Sequence, residues 1–418
     1  MLVSPQIVPT MRDTENSLNP TPAPFSGDNS KKSAGYRRAL ENLTPNVGAE
    51  ILRYGWAREG TISLGQGEGS RTTPDFIIDA AAQAAKEGKT FYAPVLGIPE
   101  LRQELSTYYA RHYKVSVPTN RIYVTGSGTT AMHLALTAVL DEGDEVIAVT
   151  PIWKNLLGAV EVAQGRVRQC PLDFNEGEWS LDLDKLFSMV DSKTKALLLV
   201  TPSNPTGWVM RAKDIQEIMN FARRNDIWVI ADEVYSRLVY EGTHAPSFLE
   251  VAESTDKLFV VNSFSKAWAM TGWRLGWLVG PVCAEERIRD LILYDNLGVA
   301  NFPQYGGLAA LRQGEAFLSD QMNLWRKNRD RMTEFFKDYP QVSYSVPEAG
   351  FYSFFKADGQ DNCIEFAKRL IDEAGISIAP GKGFGDCCKG WMRLCFAVSE
   401  ERLEESLNRL DKGFKAIF

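Results

Sequence analysis

Five short runs in the middle of the chain are almost continuously apolar: Arg121–Thr125, Glu145–Thr150, Ala196–Thr201, Ile227–Ala231 and Leu258–Asn262. They lack the strict alternation of a half-exposed strand, and so suit strands buried on both faces of a mostly parallel sheet. Stretches of helical period separate most of them, for example Thr130–Leu140 and Lys213–Asn225. Repeated strand–helix alternation predicts an α/β domain with helices on both faces. After Pro303 the texture changes. A long helix is expected from about Gly314 to Phe336, then strands at Val342–Val346, Phe351–Phe355 and Met392–Phe396, with amphipathic helices at Cys363–Glu373 and Ser399–Phe414. That pattern reads as a smaller α+β domain. Residues 34–74 are assigned to it together with 311–418, leaving 75–310 as the large domain. Residues 1–33, rich in Pro, Ser, Asn and Thr, have too little apolar surface to offset ordering entropy and are expected to form a flexible tail.

The totals narrow the class. A chain of 418 residues implies two or three domains on a prior of roughly 150 residues each. Its 44% hydrophobic and 24% charged residues are those of an ordinary soluble protein. A net charge of −7 argues against a broad nucleic-acid or anionic-membrane surface, although a pocket for a small anion needs only a few local cations. Six cysteines without CxxC spacing read as reduced thiols, and no run approaches the roughly 18 apolar residues of a membrane span. The first residues lack the basic and apolar regions of a secretory signal, so a cytoplasmic location is expected.

Chemistry collects where the apolar runs end. Open α/β sheets bind ligands beyond the carboxyl ends of their strands. There the chain places Ser127-Gly128-Thr129, Trp153, Asn204, Asp232 with Tyr235, and Ser263-Phe264-Ser265-Lys266. The first segment precedes a helix, and its free N–H groups could seat a phosphate or form a plain capped turn. It is not GxGxxG, and no P-loop lysine follows. Asp232 closes an apolar strand, where an acid is costly unless it meets a cation or a donor; a protonated ring nitrogen would serve, and so would a turn cap. Lys266, flanked by Phe264, Trp268 and Met270, has the apolar setting that lowers an amine's pKa for imine formation. Arg274 offers a fixed cation or a surface ion pair. Arg393 lies inside the apolar run WMRLCF, which implies either a substrate carboxylate or a structural salt bridge. The three histidines share no spacing, and no metal ligand set is read.

Taken together, NPTG (Asn204–Gly207), DEVY (Asp232–Tyr235), SFSK (Ser263–Lys266), GWRLG (Gly272–Gly276) and RLCFA (Arg393–Ala397) resemble the class I/II pyridoxal-5′-phosphate-dependent aminotransferases. The segment Tyr92–Arg102 is similar to the aspartate aminotransferase-like Iγ group. The resemblance implies the fold type I of these enzymes: a large domain on a mostly parallel sheet of seven strands, and a smaller α+β domain. It implies a homodimer with shared sites that moves an amino group between an L-amino acid and a 2-oxo acid by a ping-pong mechanism; from the charge and the lack of an apolar span, no nucleic-acid or membrane partner is expected. By the same resemblance Lys266 matches the lysine that forms the aldimine with pyridoxal 5′-phosphate, and Asp232 the partner of the ring nitrogen. Tyr235 and Asn204 match donors to the ring oxygen. Ser127, Gly128, Thr129, Ser263, Ser265 and Arg274 fall on phosphate positions, and Trp153 on the stacking aromatic. Arg393, with Gly67 and Asn204, matches the α-carboxylate clamp, and Tyr92 a tyrosine that reaches the neighbouring subunit's phosphate.

Two departures stand out. Many relatives read GEPDF where this chain has Gly67-Glu68-Gly69-Ser70-Arg71, and Thr129 stands where some carry lysine. Arg71 is therefore read either as a selector of acidic side chains or as a plain surface arginine. Two rival functions share the motifs: a β- or γ-lyase on the same scaffold, and a non-catalytic effector sensor.

Overall fold

The computed structural model describes Gly35, Leu40, Leu43 and residues 47–418; the expected tail at residues 1–33 lies outside the described residues. Seven strands form the main sheet: β1 Ile122–Thr125, β2 Glu145–Thr150, β3 Arg166–Pro171, β4 Thr194–Val200, β5 Trp228–Asp232, β6 Leu258–Ser263 and β7 Gly276–Val279. Their spatial order is β1-β7-β6-β5-β4-β2-β3. The pairs from β6 to β3 are parallel, and β7 runs antiparallel to both of its neighbours. The unbroken apolar runs reflect two buried faces. In β4, Leu197 and Leu199 enter one hydrophobic cluster while Ala196, Leu198 and Val200 enter the other. Each such leucine contributes roughly 1.5–3 kcal/mol on burial, so polar residues are confined to the strand ends.

A second, antiparallel sheet holds β8 Val342–Tyr344, β9 Tyr352–Ala357, β10 Ala379–Pro380 and β11 Trp391–Cys395, in the order β8-β9-β11-β10. The helices Glu315–Lys337, Cys363–Ala374 and Glu400–Ile417 accompany it. The segment before the main sheet is tied here as well. Ile62 and Ser63 pair in parallel with Ile376 and Ser377, and the helix Val47–Trp56 packs on Cys363–Ala374.

Several boundaries differ from the sequence reading, each for a local reason. A 3₁₀ turn at Thr119–Arg121 precedes β1, because the Arg121 guanidinium leaves the strand to donate to Gly280 O at 2.7 Å. β5 starts one residue later than its apolar run, at Trp228, and Asp232 closes it, as expected, opposite Val200 and Val261. β8 stops at Tyr344 because Val346, 48% exposed, precedes Pro347, which disfavours continued pairing. Strands β3 and β7 were not anticipated. The first is an edge strand carrying Arg166 and Arg168, and the second is only four residues long. Among the described residues no helix is long and apolar enough to cross a membrane.

Candidate active site

The carboxyl ends of β1, β2, β4, β5 and β6 open on a cavity of about 200 Å³ lined by every site residue expected from the sequence except Tyr92. A second cavity of about 440 Å³ adjoins it, sharing Gly67, Trp153, Lys266 and Arg393, and extends to Ile51, Leu52 and Phe384. Tyr92 lies outside both and is 86% exposed.

At one end of the smaller cavity the helix Gly128–Val139 begins two residues earlier than its apolar period suggests. Ser127 caps it, its Oγ accepting from Thr130 N at 2.9 Å. A Cβ on Gly128 would press at 3.3 Å on both Ser263 and Val234, so glycine lets the backbone lie close to β6. Ser263 likewise caps the short helix Phe264–Ala267, accepting from Ser265 N at 3.1 Å, and its hydroxyl lies 2.9 Å from that of Ser265. Arg274 donates to Thr271 O at 2.6 Å and has no carboxylate partner among the described residues. Hydroxyls, a helix N-terminus and a guanidinium with spare donors thus converge, a fit for a phosphate.

Asp232 is buried, and its Oδ1 accepts one bond, from Val234 N at 3.1 Å. Burial raises its pKa to about 6, against the opposing pull of that bond and of the Lys266 charge. No cation pairs with it among the described residues, so a protonated ring nitrogen would supply the missing partner. Lys266 donates from Nζ to Gly67 O at 2.5 Å, and burial lowers its pKa to about 8. An amine so placed carries a far larger neutral fraction near physiological pH than an ordinary lysine does, as attack on an aldehyde requires.

Arg393, on β11, is 5% exposed. It donates to Asn204 Oδ1 at 2.9 Å and to Gly65 O at 2.5 Å, while its buried Nε has no partner among the described residues. Its guanidinium lies 4.4 Å from the Tyr352 ring centroid and 4.8 Å from that of Phe384. Asn204 Nδ2 donates in turn to the Tyr235 hydroxyl at 3.3 Å, and burial pushes the Tyr235 pKa well up. A buried guanidinium with acceptors but no counter-ion among the described residues fits a substrate carboxylate better than the structural salt bridge that the sequence left open.

The sequence reading missed three contributors. The Tyr352 hydroxyl lies 2.9 Å from that of Tyr235. The Glu68 carboxylate accepts from the Thr271 hydroxyl, tying the segment before Arg71 to the segment after Lys266. Phe384 walls the larger cavity. Tyr352 lies in an aromatic strand that reads as ordinary core, so nothing in its pattern marked it. Arg71 lies over the Phe317 ring at 4.4 Å and lines neither large cavity.

Comparison with known proteins places this geometry in company. The family model described as "Aminotransferase class I and II" matches residues 59–410. A probable aspartate aminotransferase of Methanocaldococcus jannaschii is 32% identical over 384 residues, covering 90% of this chain and 98% of the relative. An aromatic-amino-acid aminotransferase of Thermococcus litoralis is 32% identical over 380 residues, covering 90% and 97%. The crystal structure of the Thermotoga maritima aspartate aminotransferase superposes with a TM-score of 0.85 at 30% identity, covering 91% of this chain and 100% of that one.

Proposed function

Since this chain belongs to the class I and II aminotransferases and is a pyridoxal-phosphate-dependent transaminase of fold type I, we propose specific roles for its residues. Its substrates are an amino acid and a 2-oxo acid. Bound pyridoxal phosphate supplies an electrophilic carbonyl carbon and a cationic ring that draws electron density from the substrate's Cα. Lys266 would hold that carbonyl carbon through Nζ and, once displaced, move the proton at Cα. Asp232 would hold the proton on the ring nitrogen. Tyr235 and Asn204 would donate to the ring oxygen, and Trp153 would cover the ring face. Ser127, Gly128, Thr129, Ser263, Ser265 and Arg274 would anchor the phosphate. Arg393 would orient the α-carboxylate, with Gly67 and Asn204 beside it, while Tyr352 and Phe384 keep water from its guanidinium.

The observation that carries this assignment is the buried Arg393, without a counter-ion among the described residues, lining the same cavities as Lys266. Following the absorption of the loaded enzyme on adding amino donor alone tests it. Conversion to the aminated cofactor, restored by a 2-oxo acid, is expected; an unchanged spectrum with every donor would reject the assignment. A β- or γ-lyase would instead release ammonia without an acceptor, and the aminotransferase names of the relatives favour transfer.

The same reading includes a division into a large domain at 75–310 and a small one from 34–74 and 311–418, with the small domain closing the carboxylate side of the site. The pairing of Ile62 with Ile376 supports that grouping. It also includes a homodimer in which Tyr92 reaches the neighbour's phosphate. Phe91, Tyr92 and Tyr294, 81%, 86% and 88% exposed, support it, since isolated chains seldom leave three such rings in water. Six free cysteines support a reducing, cytoplasmic setting.

A further inference from the structure

Beside the site lies a pair of neighbouring thiols that transamination does not use. Cys387 and Cys388 occupy the loop between the 3₁₀ turn Gly381–Phe384 and β11, with their sulfurs 3.6 Å apart. The two differ in surroundings. Cys387 is exposed as a residue, and its sulfur lies 3.6 Å from the Thr150 hydroxyl at the end of β2. Cys388 is fully buried in a cluster with Phe354, Phe384 and Trp391. The loop is anchored at both ends: Gln169 and Asp386 exchange two hydrogen bonds of 2.9 Å, and Phe384 O accepts from Ile152 N at 2.8 Å. It therefore joins the thiols on one side to Phe384, which faces Arg393, and on the other to the Thr150–Trp153 segment.

We propose that Cys387 and Cys388 form a redox-active vicinal dithiol, with Cys387 the thiol oxidised by hydrogen peroxide and Cys388 the one that resolves it to a disulfide. An exposed cysteine whose thiol is hydrogen-bonded to a hydroxyl, with a second sulfur in contact, is the arrangement such chemistry needs. Hydrogen bonding with Cys388 and Thr150 brings the Cys387 thiol down to about 7, whereas its bond to Cys387 and its burial hold Cys388 well above the ordinary range. Asp386, the neighbouring carboxylate, opposes the ionisation of both.

The steps balance. The Cys387 thiolate attacks one peroxide oxygen; the S–O bond forms, the O–O bond breaks, and the departing hydroxide takes a proton to become water. Cys388 then gives up its proton and attacks the Cys387 sulfur; the S–S bond forms, the S–O bond breaks, and a second water leaves. The two thiols lose two electrons and the peroxide gains them. Bond formation brings the sulfurs to about 2.05 Å, and adjacent residues cannot meet the usual Cα separation, so the product is strained and easily reduced. Drawing the sulfurs together pulls Cys388 from its aromatic cluster, and that movement would displace Phe384 beside Arg393.

The test treats the loaded enzyme with hydrogen peroxide and maps cysteine states by peptide mass. A Cys387–Cys388 disulfide formed before any change at exposed Cys283 is expected, together with a roughly ten-fold rise in KM for the amino donor, consistent with a sub-ångström displacement at the site, and full recovery with dithiothreitol. C388S should stop at a Cys387 sulfenic acid trapped by dimedone, and C387S should resist loss at the same dose. Peptides with both thiols intact while Cys283 is oxidised would overturn the assignment, as would equal, reversible loss in C387S. The mass readout is independent of the substrate, so its failure would leave the transaminase assignment untouched.

Discussion

The hydroxyls of Tyr235 and Tyr352 meet at 2.9 Å in a fully buried setting, and the Asn204 amide donates to the Tyr235 oxygen from the other side. Tyr352 has no other hydrogen-bond partner among the described residues. When it donates to Tyr235, that oxygen receives two bonds and its own proton is left to point at the cofactor's ring oxygen. Y352F should therefore fold normally, losing about 1 kcal/mol from one hydrogen bond. It should lower kcat several-fold with little change in KM and shift the pH dependence of the loaded enzyme's absorption. An unchanged spectral titration would show Tyr352 to be a packing residue only.

Arg393 should be sensitive to shape as well as charge. R393K keeps the cation but loses the planar fork, and charge-assisted bonds of about 1.5–3 kcal/mol imply a roughly ten- to hundred-fold rise in KM for amino and 2-oxo acids. Steady-state kinetics on both half-reactions would show it; a fall in kcat at constant KM would place the carboxylate elsewhere.

Gly67 faces the Tyr352 hydroxyl so closely that a Cβ there would collide with it. G67A should shift the segment whose carbonyl accepts from Lys266, reducing activity at least ten-fold by displacing a positioning contact. Combining it with Y352F should restore part of the loss. Without such rescue, the collision is not the cause.

Two buried ionisable groups make the apoprotein's stability depend on pH. The folded pKa of Lys266, about 8, lies below its ordinary 10.5, so its cost is full below pH 8 and fades as pH rises toward 10.5. The folded pKa of Asp232, about 6, lies above its ordinary 3.8, so its cost is full above pH 6 and fades as pH falls toward 3.8. D232N should consequently raise the apoprotein's Tm at neutral pH while weakening cofactor retention. Scanning calorimetry and equilibrium dialysis would check the pair; a lower apoprotein Tm would mean that Asp232 is already compensated.

The sequence made the strand ends legible because burial on both faces of β4 and β5 leaves polar residues only there. Asp232 and Lys266 stood out as charges against apolar runs. Tyr352 and Phe384 did not, since an aromatic residue facing a cavity has the same local pattern as one facing the core. Strand β3 was hidden by Arg166 and Arg168 on its edge, and β7 by its brevity. The early start of the helix at Gly128 depends on the Ser127 cap, a contact of side chain with backbone that hydrophobic period does not encode.

Borohydride reduction of the cofactor-loaded protein, followed by digestion and peptide mass mapping, bears most directly on the role of Lys266. The account predicts a single phosphopyridoxyl adduct on Nζ of Lys266, lost in K266A. An adduct on any other lysine in the wild-type protein, or a K266A variant that retains full turnover, would contradict it.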